Sequence, residues 1–294
     1  MQILQRMKQA PDWNREALLQ SPPFAPLHPI LAELESKGFP AREDCNALLA
    51  ARRPSITVQS GMPLSFVPQR HGKVPFEAQY EPRCYLTGEV QMRAHDWHDL
   101  LNALVWMTFP KAKATFNARH YHALLEERAS GEIRRGAVRD VNTLLDESGV
   151  IVVYAEDQLA GLLRSFEWKK LFWQGREQVR AGMGFYLFGH GLYEKALRPY
   201  VGMTGQGLLI KVEQRFFSWP LAERLHHLDS LLADNLSMPR QCRNPRDLCP
   251  VPLLGVPGWT TDSEFEVYYD NAGYFRPGRR AGNRIDKGCP DLLS

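Results

Sequence analysis

The stretch GFYLFGHGLYEKALRPYVGMTGQGLLIKV, residues 184–212, has the order strand, glycine turn, short helix, loop, strand. Aromatic and aliphatic residues fill its start, Gly189 and Gly191 bracket His190, and an apolar run returns at Leu208 to Val212. This order is compatible with a short βαβ unit and puts His190 where a strand turns into a helix. Such corners expose backbone N–H groups and the corner side chain, so ligands collect there.

Working outward, the chain alternates between the two periods of regular structure. Upstream, VNTLL and VIVVYA flank DESG, which reads as a hairpin with Gly149 in its turn, and a helix follows from about Asp157 to Trp173. Between Ser55 and Val90, the pieces SITV, LSFV, FEAQY and RCYLTGEV read as short strands separated by turn formers. Downstream, Leu221, Leu225, Leu228 and Leu232 recur at helical spacing. The fold class expected is α+β, with small antiparallel sheet layers packed against several amphipathic helices. Residues 1–54 read as an N-terminal helical appendage, 55–275 as a single main domain, and 276–294 as a loosely ordered tail rich in Pro, Gly and Arg.

Composition limits the function classes. Lys plus Arg number 36 against 33 Asp plus Glu, so the net charge of +3 gives no global pull toward nucleic acid or an anionic membrane, and any basic site must be local. The longest apolar runs fall well short of the ~20 residues that span a bilayer, and the N-terminus lacks a signal-peptide core. Five cysteines without a CxxC pair fit a reducing compartment better than a disulfide framework, so the expected location is cytoplasmic. Walker, GxSxG, HExxH and zinc-deaminase patterns do not occur, and the spacing of Cys242 and Cys249 is too wide for an ordinary structural zinc pair.

Three clusters carry chemistry. In HDWHDLLNALVWMTFPKAK, residues 95–113, Trp97, Leu100, Leu101, Leu104 and Val105 make an apolar helix face. His98, Asp99, Asn102 and Trp106 make the opposite one, expected to line a partly buried cleft; His95 reads as flanking, Asp96 as a cap, and Asp99 also suits the positive helix start. Pro110 begins a second helix, from which Lys113 and Asn117 reach outward one turn apart. In FGHGLYEK, His190 and Glu194 share a helix face and suit an oriented general base or two ligands of a divalent metal. In RRGAVRDVNTLLDESG, Arg139 and Asp140 suit an anion or a restraining salt bridge, whereas Asp146 and Glu147 are assigned to turn structure.

Taken together, WHDLLNALVW, FPKAK, RDVNTLLDESG, FGHGLYEKALRPY and LLGVPGW resemble a bacterial family defined as a domain of unknown function, over about Tyr80 to Phe275. The resemblance implies that these segments belong to one domain, and it carries no activity, cofactor or catalytic residue.

The expected function is therefore argued from the residues: a hydrolase in which His98, Asp99, His190 and Glu194 converge as acid-base groups or as ligands of one divalent metal. Asn102, Trp106, Lys113, Arg139 and Asp140 would bind a small anionic substrate, phosphorylated compounds included. The alternative is a noncatalytic module whose local basic stretches RRGAVRD, MPRQCRNPRD and FRPGRR hold an anion or nucleic acid. A third reading makes the His and Asp groups a buried network that only fixes the fold. The first requires His98 and His190 to lie within hydrogen-bond or shared-ligand reach.

Overall fold

The protein is described by a computed structural model over residues 11–70, 72–130, 136–238 and 242–278; the expected tail from 279 onward lies outside the described residues. Three short α-helices come first among the described residues, α1 (Arg15–Gln20), α2 (His28–Glu33) and α3 (Arg42–Ala51). Their buried side chains, among them Leu18, Leu31 and Leu49, join one continuous apolar cluster that extends to Phe275.

The 55–90 region departs from the expected small antiparallel layer. Only LSFV and the end of RCYLTGEV form strands, β1 (Ser65–Val67) and β2 (Glu89–Gln91), and these pair in parallel. Parallel neighbours need a crossover connection, which α4 (Tyr80–Thr87) supplies. Gly88 ends that helix at φ +73°, and a Cβ there would meet the Pro63 carbonyl oxygen at 2.1 Å, so only glycine fits.

The next pair of helices follows the expected join. α5 (Trp97–Thr108) is capped by Asp96, whose side chain accepts from Asp99 N, and Pro110 starts α6 (Pro110–Ser130). The first backbone amides of α6 have no partner within the helix. Asp229 supplies one from a distant element, accepting from Lys111 N at 3.1 Å and Ala112 N at 2.8 Å.

The hairpin expected at VNTLLDESGVIVVYA does not form. The segment is helix α7 (Ala137–Ser148) running directly into β3 (Gly149–Tyr154). Val141 and Leu145 are buried one turn apart, so the helical period prevails over the turn-like composition of DESG. Every residue of β3 is buried, as suits a central strand covered on both faces. The expected single helix after it is broken into α8 (Asp157–Arg164) and a π-helical turn at Lys170–Gln174, with Phe166 between them at φ +59°. A short α9 (Arg176–Gly182) leads into β4 (Met183–Leu187).

From β4 the chain runs through α10 (His190–Ala196) to β5 (Thr204–Lys211), then α11 (Leu221–Ser237) and β6 (Cys249–Pro252). The strand order is β4-β3-β5-β6. The strand, helix, strand order of residues 184–212 is thus present, but β4 and β5 are not neighbours. They flank β3, one antiparallel and the other parallel to it, so they do not make a parallel βαβ unit. The class is α+β, as expected.

Antiparallel pairing of β3 with β4, Val150 opposite Leu187, puts the beginning of β3 beside the end of β4. The last turn of α7 and the first turn of α10 therefore meet at one edge of the sheet. No helix among the described residues is long and apolar enough to cross a membrane. Cys45, Cys84 and Cys242 are free and buried.

Burial of Asp229 raises its carboxyl to about 6, against the pull of the two α6 amides. A pKa higher in the folded than in the unfolded chain contributes stability that is full below the unfolded value of 3.8 and lost as pH rises through about 6. Asp229→Ala is expected to destabilise by about 1–2 kcal/mol through loss of the cap. In urea denaturation across this range, the gap to wild type should narrow as pH rises.

Candidate metal centre

Three elements that are far apart in sequence meet at the α7–β3 and β4–α10 junctions. His98 projects from the first turn of α5, Glu147 from the last turn of α7, and His190 opens α10. The close approach depends on the two glycines of FGHG. A Cβ on Gly189 would meet Ser148 N and Gly149 N at 2.5 Å, and one on Gly191 would meet Glu147 Oε2 at 2.2 Å. Backbone thus lies on backbone at Gly189, and the Glu147 carboxylate lies in the space that Gly191 leaves.

The two histidines face each other through the same atom. His98 Nε2 and His190 Nε2 are 2.9 Å apart, and Glu147 Oε1 lies 3.8 Å from each. The point equidistant from these three atoms is about 2.1 Å from each, which is the bond length of imidazole nitrogen and carboxylate oxygen to zinc. His98, Glu147 and His190 therefore form a group able to hold a metal ion.

The other ring nitrogens face carboxylates. His98 Nδ1 is 3.0 Å from Glu194 Oε2, and His190 Nδ1 is 3.6 Å from Asp146 Oδ1, a little beyond hydrogen-bond range. An ionised carboxylate only accepts, so each favours a proton on the Nδ1 it faces. With the proton on both Nδ1 atoms, the two Nε2 atoms present lone pairs to one another across 2.9 Å, an arrangement that a cation between them relieves.

Behind His190 the site is closed. Lys113 and Asp146 form a buried ion pair, and Lys113 Nζ also donates to Asn102 Oδ1 at 2.9 Å and lies 5.5 Å from the centre of the Trp106 ring. Burial alone would raise the Asp146 carboxyl, but Lys113 and His190 hold it well below the usual range. On the solvent side the site is open. Glu147 and Glu194 are nearly half-exposed and His98 about one-third. A cavity of about 420 Å³ adjoins His98 and Glu194, lined also by Arg93, His95, Asp96 and Trp97. A larger recess of about 800 Å³ lies at the far end of β3 and β5 around Lys211 and Glu213, away from this chemistry.

The structure brings together His98, His190 and Glu194 from the predicted set and leaves others elsewhere. Both oxygens of Asp99 are bound by Arg93, at 2.7 and 2.9 Å, so Asp99 does not share the metal position. Partial burial pushes its carboxyl up, but these bonds hold it below the ordinary value. Asn102, Lys113 and Trp106 do not line a cleft. α5 is buried nearly all round beyond its first turn, and its polar groups satisfy one another, with Asn102 Nδ2 donating to the Tyr80 hydroxyl at 2.8 Å. Arg139 is engaged by Glu127 at 2.5 Å, and Asp140 lies in the first turn of α7, at the opposite end of that helix from Glu147. Parts of the three basic stretches, at 134–135, 239–241 and 279–280, lie outside the described residues.

Glu147 and Asp146, which the sequence places in a turn, lie beside the two histidines instead. Two signals in the sequence mark them: Val141 and Leu145 at helical spacing, and two adjacent acids in a final helical turn, where the macrodipole disfavours negative charge. No curated protein and no solved structure matches the chain. The family model for "Protein of unknown function (DUF3025)" matches residues 64–279, a span that includes every residue of the His and carboxylate cluster, and the chain belongs to that family.

Proposed function

We propose that the protein is a metal-dependent hydrolase in which His98, His190 and Glu147 hold one divalent cation. The observation that carries this reading is the pair of Nε2 atoms 2.9 Å apart, each on a ring whose Nδ1 faces a carboxylate. Two histidines and a glutamate are a ligand set of catalytic zinc sites, which leave a further position for water or substrate. The part-exposed side of His98 and Glu147 provides that opening, next to the cavity under Arg93 and His95.

A bound divalent ion would acidify its water to a pKa of about 7 and polarise a carbonyl or phosphoryl oxygen. Within the chain, Glu194 orients His98, and Asp146 faces His190. An anionic substrate would be attracted mainly by the ion, because Lys113, Arg139 and Arg93 are committed to Asp146, Glu127 and Asp99. The substrate class is thus an ester or phosphoester that offers an oxygen ligand.

Metal analysis of protein purified without a histidine tag should find close to one ion per chain. His98→Ala, His190→Ala and Glu147→Ala should each lower affinity by more than the roughly 10–100-fold cost of losing an outer partner. Chromogenic ester and phosphoester probes should be hydrolysed in a way that chelator abolishes and added metal restores. Failure to bind zinc, manganese, cobalt or nickel would overturn the reading, and binding without hydrolysis would reduce it to a metal-binding protein.

Gly191→Ala gives a sharper local test. Alanine is the better helix former by about 0.5–1 kcal/mol, which offsets the tight 3.0 Å approach of its Cβ to the Glu147 carbonyl oxygen, so the overall stability should stay close to wild type. Its Cβ would displace the Glu147 carboxylate tip, so metal affinity should fall as it does for Glu147→Ala. Calorimetric titration beside a thermal melt separates the two effects.

A further inference from the structure

The two histidines are backed differently. Glu194, behind His98, is nearly half-exposed, whereas Asp146, behind His190, has a side chain only 16% exposed and is paired with Lys113, whose side chain is 4% exposed. The same oxygen, Asp146 Oδ1, takes the Lys113 ammonium and faces His190 Nδ1. Lys113 is fixed in turn by Asn102 Oδ1 at 2.9 Å and by the Trp106 ring, and Asn102 is fixed by the Tyr80 hydroxyl at 2.8 Å. A hydrogen-bonded line of side chains thus runs from Tyr80 through Asn102 and Lys113 to Asp146, whose Oδ1 lies 3.6 Å from His190 Nδ1, a buried atom with no closer partner among the described residues.

Resting on the metal reading above, we infer that Asp146 and Lys113 are positioning residues that set the affinity of the centre by fixing the ring of His190. Lys113 has no donor turned toward solvent or substrate: its ammonium is shared among Asp146, Asn102 and the Trp106 face. Its charge therefore acts through Asp146. By keeping Oδ1 aimed at Nδ1, the pair selects the ring orientation and tautomer in which Nε2 carries the lone pair turned to His98 and Glu147. Outer partners of this kind raise ligand basicity and hold the ring against rotation, and losing one typically costs 10–100-fold in metal affinity. Glu194 has the same relation to His98 but in water-exposed surroundings, where a charged hydrogen bond is weaker. The line of side chains also explains why α5 and α6 carry an asparagine and a lysine inside the core.

The experiment measures cobalt(II) affinity by chelator competition, together with the cobalt visible spectrum, in wild type, Asp146→Asn, Lys113→Met, Lys113→Arg and Glu194→Gln, each checked by circular dichroism. Asp146→Asn and Lys113→Met are expected to lose 10–100-fold with an altered spectrum, Lys113→Arg to recover part of the loss, and Glu194→Gln to lose less. A folded Asp146→Asn with wild-type affinity and spectrum overturns the inference while leaving the metal reading intact. Wild type that binds no cobalt overturns both. Because a variant with a broken buried pair can fail to fold, nitrogen NMR of the zinc-loaded wild type supplies the remaining test. His190 should carry its proton on Nδ1 and bind through Nε2, and the opposite tautomer overturns the inference.

Discussion

The antiparallel register of β3 against β4, with Val150 opposite Leu187, holds the site together. It places the residues just before β3 next to those just after β4, and Phe188 N and Gly189 N both donate to the Gly149 carbonyl at the junction. Without that register Glu147 would be an exposed acid at a helix end and His190 a corner histidine without a partner. α5 then packs its first turn against α10, bringing His98 to the same point. Because β3 is buried along its whole length, a slip of one residue would turn its side chains to the opposite faces, so the sheet holds the site in a single geometry.

The electrostatics around this junction run against ordinary helix design. Acids belong at helix starts, yet Asp146 and Glu147 end α7. Asp146 is compensated by Lys113, which the fold buries for that purpose at a considerable desolvation cost. Glu147 has no such internal counter-charge among the contacts described and turns toward the two imidazoles. The site gathers ring nitrogens and carboxylates at one point, with the nearby Lys113 ammonium committed to Asp146, which is the electrostatic basis of the metal proposal.

Much of this was legible along the chain. The glycine-flanked His190 at a strand-to-helix corner, Glu194 one turn later and His98 at the start of a helix are local features, and local periodicity was enough to place them. Pro110 as the start of a second helix was legible for the same reason, since its ring excludes it from a helix interior. The DESG segment was misread because turn-forming residues and a helix end share a composition, and the deciding signal, Val141 and Leu145 one turn apart, is weak over so short a span. The polar face of α5 was read as a cleft because a single helix cannot show that Asn102 and Lys113 satisfy each other inside the core.

What the sequence alone determined is the mixture of elements and the identity of two histidines and one carboxylate with chemical potential, because these depend on spacing within one helix or one turn. Only the tertiary structure decided which carboxylate joins them. Asp99 and Glu147 carry the same functional group, and Asp99 is next to His98 in the chain. A neighbouring Arg93 takes Asp99 out of use, while strand pairing carries Glu147 to His190 and the packing of α5 on α10 brings His98 to both. The choice between them is a matter of register and packing, which act between segments and leave no mark in either segment by itself.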